Sequence, residues 1–405
     1  MNTARPIDNW VGFFLCGLLF AWSRTRALLG GPAQPGRRET TPPPAGAPRT
    51  PPRRILAIKF YGLGNIAMLL PVLGALRRVY PDVEIDFLTM AANRVLLERS
   101  GAAHRVVEVD VGGLRPLLQS LWRFLRLARR RRYDLVIDFE QFVKLSAILA
   151  YLSGAPQRVG FNTDGQHRGL LYTTRVVYTD SEHQSRIFAR LLKPIGAFGE
   201  LIVPEIATKP EEEATVERLL GEAGATAGQP LVVVHVGSGP NFYRVAVKRW
   251  PIPHFAELCD RLVEQFGAAV ILTGKGEEER GLIDEVRARM RHKPVDLCDR
   301  LRVMDLVALL KRVDLAVTND TSVMHLTSLV GTPVAAFFGP TSPLHYGPWN
   351  EHDHAFYRDL YCSPCITNYN LKVSRCASPV CVREIGVDEV MQVLGQKYLG
   401  GGKPA

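Results

Sequence analysis

Four short segments in the second half of the chain bring cations, hydroxyls and glycines together in a pattern suited to gripping phosphate. His235-Val-Gly-Ser-Gly239 begins inside the apolar run VVVHV, and the small residues Gly237 and Ser238 admit a ligand close to backbone N–H groups. Lys248-Arg249-Trp-Pro offers a point charge and a planar fork for phosphate oxygens. Thr273-Gly274-Lys-Gly276 is another strand-to-turn junction, followed by Glu277, Glu278 and Glu279. These glutamates suit a helix N-terminus, and Glu278 is also placed to accept from a ribose diol. The fourth segment, Thr318-Asn-Asp-Thr-Ser-Val-Met-His325, runs from apolar strand into helix. There the amides and hydroxyls of Thr321 and Ser322 would meet a diphosphate along the helix dipole. Asp320 would cap the helix or orient a hydroxyl, and His325 would neutralise charge on a leaving group. Each segment alone has a plainer explanation: a surface Lys-Arg pair, a well-charged helix start, a core histidine. With the small-residue turn Gly339-Pro-Thr-Ser342 they describe a nucleotide-diphosphate cradle.

The first half carries a different set. Lys59-Phe-Tyr-Gly-Leu-Gly-Asn65 sits between an apolar run and a helical pattern, and its glycines suit either a ligand-lining turn or a merely tight one. The run has neither a complete dinucleotide fingerprint nor a P-loop lysine, which disfavours an oxidoreductase. Asn65 would cap the helix through its side-chain oxygen or orient an acceptor hydroxyl, but its amide cannot take a proton. Glu140, just beyond the strand-like VIDF, is the carboxylate best placed to act as a base; Asp138 and Asp164 are less so. Four of seven cysteines lie close together, Cys362, Cys365, Cys376 and Cys381. Their spacing fits a structural zinc or iron site, with a disulfide or unliganded thiols as alternatives.

These residues need scaffolding, and the chain supplies it twice. Short apolar runs at 55–60, 85–88, 105–109, 135–138 and 157–160 alternate with helical patterns, and a second set follows at 231–236, 269–272, 315–318 and 333–338. Such alternation predicts an α/β protein with two Rossmann-like parallel-sheet domains facing across a cleft, ligands lying beyond the carboxyl ends of the strands. The expected divisions are a first Rossmann-like domain over 54–208, a connection over 209–228, a second, nucleotide-binding Rossmann-like domain with the cysteine loop over 229–385, and a terminal helix and tail over 386–405.

Residues 1–31 read as a membrane-association segment and 32–53 as a Pro-rich tether. Trp10 to Trp22 is an uncharged run of thirteen residues, short for a span but suited to an interface; packing on the protein or a targeting role are the alternatives. The net charge is +10, of which residues 1–54 hold +6, with eight arginines against Asp8 and Glu39. That bias points to an anionic membrane surface, and no nucleic-acid motif accompanies it. In the helical pattern 114–132, Leu117, Leu118, Leu121, Leu125 and Ala128 would form the apolar side, with Arg123, Arg126, Arg129 and Arg130 facing away.

Taken together, ILAIKFYGLGN, YDLVIDFEQF, RVGFNTDGQHRGLLYT, VVVHVGSG, KRWPIPHFAEL, TNDTSVMHLTSLVGTPVAAFFGPTSP and the cysteine-bearing tail resemble the heptosyltransferase-like glycosyltransferases. The resemblance covers about residues 54–395. It implies a GT-B fold and inverting transfer from a nucleotide-diphosphate sugar such as ADP-heptose, with no divalent metal required at the diphosphate. It further implies a lipopolysaccharide-core or related glycan acceptor at the cytoplasmic face of the bacterial inner membrane, with the protein peripheral or N-terminally anchored. Lys248, Asp320, Thr321 and Ser322 would then hold phosphate, and His325 belongs to the same motif. Two departures stand out: Ser322 replaces a glycine, and Asn65 replaces the aspartate regarded as the acceptor-activating base. Three accounts fit Asn65: Glu140 serves as base, the proton leaves late, or transfer has been lost. A non-catalytic nucleotide-sugar scaffold and a nucleotide-sugar epimerase are the rival functions.

Overall fold

A computed structural model describes residues 12, 15–22, 51–225, 228–238, 245–370 and 372–400. The tether at 32–50 and most of the predicted membrane-association segment lie outside the described residues. Residues 15–22 are helical, with Cys16 fully buried in the core of the first unit. No described helix is long and apolar enough to cross a membrane.

The chain divides into two compact units, residues 1–206 and 207–405. In the first, the strands are β1 (Arg54–Ile58), β2 (Glu84–Thr89), β3 (Arg105–Glu108), β4 (Leu135–Asp138), β5 (Gln157–Asn162) and β6 (Thr174–Val177). Among the described residues they form one parallel sheet in the order β3-β2-β1-β4-β5-β6. The helices that matter here are α1 (Leu63–Val79), α2 (Leu114–Arg131) and α3 (Lys144–Leu152). Strands β1 and β4 read as unbroken apolar runs because helices cover both faces and leave no solvent side to demand alternation.

The second unit repeats the plan. Its strands are β7 (Leu231–His235), β8 (Ala269–Leu272), β9 (Val295–Asp296), β10 (Leu315–Asn319), β11 (Val334–Phe337) and β12 (His354–Phe356), in the order β12-β11-β10-β7-β8-β9. Between and after them run α4 (Ile252–Phe266), α5 (Glu277–Arg289), α6 (Ser322–Leu329) and α7 (Val387–Leu394). Each unit therefore has the doubly wound Rossmann order, with its crossovers reversing direction beside the first strand. The core is built on Trp250, which stacks on Phe337 at 4.2 Å and meets the edge of Phe255 at 5.0 Å. Helix α7 packs into this same core through Val387, Val390, Met391 and Leu394, so the last helix belongs to the second unit.

Helix α2 departs from its predicted facing. Phe124 and Ala128 are buried and Leu117, Leu121 and Leu125 partly so, but Leu118 turns outward. The helix rests on the sheet along the line of Ser120, Phe124 and Ala128, which rotates the Leu114–Leu118–Trp122 edge into solvent.

Under the first sheet lies a polar network with no apolar substitute of equal shape. Asp138 accepts from Arg168 at 2.8 Å and from the Tyr172 hydroxyl at 2.6 Å, and Arg168 also donates to Ser146 Oγ at 3.0 Å. Gly160 makes room for the Tyr172 ring, since a Cβ there would lie 2.4 Å from Tyr172 Cζ. The ring cannot retreat without breaking its bond to a buried carboxylate. Gly160→Ala should therefore destabilise the first unit by about 1–3 kcal/mol, read as a lowered Tm, while Gly154→Ala, in open space but at positive φ, reports backbone strain alone.

Candidate functional site

In both units the loops after the first and fourth strands meet where the strand order reverses, and in both a polar side chain ties them together. In the first unit that side chain is Glu140. Its Oε2 takes a 2.9 Å ion pair from Lys59, and its Oε1 accepts from the amides of Phe60 at 2.7 Å and Tyr61 at 3.2 Å. Both partners are almost wholly buried. Burial alone would raise the Glu140 pKa, but the Lys59 charge and the hydrogen bonds outweigh it and hold the carboxyl below its usual range. The sequence placed Glu140 just beyond the VIDF strand as a candidate base; in the structure its oxygens accept from Lys59 and the amides of the turn after β1. Asp138 lies behind, where burial outweighs Arg168 and Tyr172 and raises its pKa.

Asn65 stands elsewhere than a cap. Gly62, at φ +91°, is the N-cap of α1, and no side chain caps it. Asn65 is the third helical residue and donates its amide back to the Tyr61 carbonyl at 3.2 Å. The capping expectation fails because the glycine turn enters the helix three residues earlier, so Asn65 lies within the first turn and Gly62 takes the cap position.

In the second unit the tie is Asn319, a residue that sequence reasoning passed over. Its amide donates to the carbonyls of Val236 at 3.0 Å and Gly237 at 2.9 Å, and its Oδ1 accepts from the Trp250 amide at 2.9 Å. One buried side chain thus joins three of the four predicted segments. The available signal was an asparagine closing an apolar strand, where only a polar partner across the sheet justifies it.

Lys248 ends a short 3₁₀ turn, Val245–Lys248, and its ammonium pairs with Asp320. Asp320 also accepts from the Thr341 hydroxyl at 2.7 Å, which brings in the turn after β11. Burial would push Asp320 up, but Lys248, then His325 and Thr341, win and hold it below its ordinary range. Asp320 is therefore an anchor for the lysine rather than a contact for an anion. Thr321 caps α6, its hydroxyl accepting from Val323 N at 3.2 Å, and Ser322 takes the first helical position, where a side chain is tolerated. His325 is buried on α6 with its ring stacked at 6.1 Å on Trp349.

The acidic helix start sorts itself by depth. Arg249 donates to Ser238 Oγ at 3.0 Å and pairs with Glu278, which is otherwise exposed. Glu279, the other candidate at that helix start, goes inward. Its Oε2 accepts from Lys275 N at 2.8 Å, and a Cβ on Gly237 would fall 2.1 Å from its Oε1. A Cβ on Gly274 would sit 2.8 Å from Ile283 Cδ1 and 3.1 Å from Glu279 Cβ, so Gly237 admits the carboxylate while Gly274 makes room for Ile283 and the stem of the same glutamate. An acid at the third position of a helix folding back onto the turn before it is the readable signal. His235 Nδ1 lies 2.9 Å from the Thr273 carbonyl and burial lowers its pKa, so the neutral ring donates from Nδ1.

The cysteine expectation is overturned. Among the described residues no group of three or more His, Cys, Asp or Glu is gathered as a metal site. Cys362 is exposed, Cys365 Sγ contacts Ser374 Oγ at 3.2 Å, and Cys381 is buried. Burial first, then its neighbouring cysteines, push the Cys381 thiol up to about 11.

Residues 121–373 match the family model described as glycosyltransferase family 9 (heptosyltransferase). Lipooligosaccharide heptosyltransferase 2 of Haemophilus influenzae is 26% identical over 308 residues, which is 73% of this chain and 86% of that protein. The glycosyl transferase family 9 structure from Veillonella parvula superposes with a TM-score of 0.73 at 21% identity, covering 86% of this chain and 98% of the other. That of E. coli ADP-heptose lps heptosyltransferase II gives 0.66 at 21% identity, covering 86% and 99%. These structures share the GT-B architecture of two Rossmann-like domains seen here.

Removing one partner of the buried pair isolates its contribution. Glu140→Gln should cost about 3–5 kcal/mol because it strands the Lys59 charge, and the double replacement Lys59→Met with Glu140→Met should recover much of that loss. The wild-type contribution is fully present above the ordinary glutamate value of 4.5 and disappears as pH falls through the lowered folded value. Denaturant melts between pH 3 and 7 should therefore flatten in both variants relative to wild type.

Proposed function

The chain belongs to glycosyltransferase family 9, the heptosyltransferases, and on that premise we propose that it moves heptose from ADP-heptose to a hydroxyl of a lipopolysaccharide- or lipooligosaccharide-core glycolipid. The related protein of H. influenzae is named for transfer to lipooligosaccharide, and the E. coli structure for ADP-heptose. The observation that carries the reading is the ammonium of Lys248, held by Asp320 at the start of α6 with His325 close by.

In this reading the second unit takes the donor. Lys248 and the first amides of α6, with the hydroxyls of Thr321 and Ser322, grip the diphosphate. Gly237, Ser238 and Gly274 keep the approach open, Arg249 supplies a second cation, and Glu278 meets the ribose. His325 neutralises charge as the sugar–phosphate bond breaks. Lys248 is better than an isolated lysine for this task, because Asp320 fixes its position and Thr341 fixes Asp320. The first unit takes the acceptor, with Asn65 aligning its hydroxyl. Since Glu140 spends its oxygens on Lys59 and the turn, the proton leaves late, after the anomeric carbon has gained most of its positive character. The protein works peripherally at the cytoplasmic face of the inner membrane.

Incubation with ADP-heptose and heptosylated core acceptors should give a heptose mass gain on the glycan by mass spectrometry. Lys248→Ala should lower kcat/KM by about 10²–10³-fold without unfolding the second unit; an unchanged value would remove Lys248 from the donor site. Asn65→Asp should raise kcat and add an acidic limb to its pH profile, because a carboxylate base contributes on the order of 10²-fold or more. An unaltered profile would place the acceptor hydroxyl away from residue 65.

A further inference from the structure

Two helices of the first unit rest on one apolar cluster and turn matching faces to solvent. The cluster is built on Leu56, Ile58, Leu88 and Val136. Helix α2 enters it with Phe124 and Ala128, and the helical residues 15–22 enter it with Cys16 and Leu19. On the outside, α2 exposes Leu114, Leu118 and Trp122, at 73%, 57% and 58% of their surface. The other helix exposes Leu15, Leu18 and Trp22 at 40%, 63% and 63%. Spacings of three and four residues put each trio on one helical side. Among the described residues both trios stand on the solvent side of their helices, with Arg126 lying over Trp122.

We propose that these two leucine–tryptophan faces insert together into the interfacial layer of an anionic lipid bilayer, with the arginines of α2 bound to its phosphates. Charge complementarity selects this occupant. Helix α2 holds six arginines and no acidic residue. Arg131 is taken by Glu84 and Asp86, while Arg115, Arg123, Arg126, Arg129 and Arg130 are exposed. Arg126 lies 4.4 Å over the Trp122 ring, so the aromatic and the cation would enter at one depth, the ring at headgroup level and the guanidinium on phosphate. A basic polar face beside leucine and tryptophan is the pattern of a helix that lies in the interface rather than across it. A second copy of the chain fits worse: a two-fold contact through α2 would set one arginine row against its equal. The proposal rests on the membrane-surface reading above and deepens it by assigning the face that docks.

The test uses the full chain with neither donor nor acceptor, so its outcome is independent of whether heptose is transferred. Sedimentation is measured with vesicles of phosphatidylcholine alone and of phosphatidylcholine mixed with phosphatidylglycerol. Wild-type protein should bind the mixed vesicles and release progressively with salt, as screening of the arginine–phosphate term requires. Leu118→Ser with Trp122→Ser, Leu18→Ser with Trp22→Ser, and Arg123→Gln with Arg126→Gln should each weaken the partition at least tenfold while far-ultraviolet circular dichroism and Tm stay at wild-type values. These side chains are exposed, so folding should survive their loss. Brominated lipid should quench wild-type tryptophan fluorescence more than that of Trp122→Phe. Vesicle binding that is absent, equal in all variants, or insensitive to anionic lipid overturns the proposal. So does a wild-type dimer in light scattering that the leucine–tryptophan variants abolish.

Discussion

A doubly wound sheet has one place where neighbouring strands send their connections in opposite directions, and the loops there cannot satisfy one another's backbone groups through the ladder. Both units of this protein close that gap with a single side chain reaching from the fourth strand to the loop after the first. Glu140 does it as an acceptor, taking two amides and the Lys59 ammonium. Asn319 does it mainly as a donor, its amide donating to two carbonyls while its oxygen accepts from the Trp250 N–H. Loop position, and hence everything that faces a ligand, depends on these two residues.

The difference in charge between them matters. An unpaired carboxylate at the reversal point would repel a diphosphate, and the second unit avoids the problem with a neutral amide. The first unit neutralises its carboxylate with a buried lysine at 2.9 Å. A carboxylate does occur beside the proposed phosphate position, but Asp320 is matched by Lys248 and Thr341 and serves to aim a cation. Glu279 is similarly occupied, wedged between two glycines with its oxygen on a backbone amide. Asp320 and Glu279 are thus orienting groups, and in the proposed donor site the groups left to meet an anion are amides, hydroxyls and cations.

Among the described residues the cysteine tail is not gathered as a metal centre. A CxxC spacing brings two thiols within reach of one ion, but four ligands must converge as thiolates. Here Cys362 is exposed, Cys381 is buried, and Cys365 Sγ contacts Ser374 Oγ. Spacing along the chain measures contour, while coordination depends on direction.

Much of this protein was legible in its sequence because the controlling effects are local or periodic. Unbroken apolar runs of four to six residues alternating with helical patterns sufficed for two parallel sheets, and glycine, hydroxyl and lysine at strand ends marked the segments that the structure gathers at one sheet edge. The short edge strands β6, β9 and β12 escaped notice, since two to four half-covered residues carry no run long enough to read. What only tertiary structure decided was which of several like residues goes inward. Glu279 rather than Glu278, Asn319 rather than its neighbours, and the outward turn of Leu118 were all set by where one element lands on another. Likewise, sequence offered Glu140 as a base, and only the approach of Lys59 and two amides from eighty residues away revealed a brace. Local pattern specifies which chemistry is present; desolvation and pairing across the fold specify which groups are still at liberty to use it.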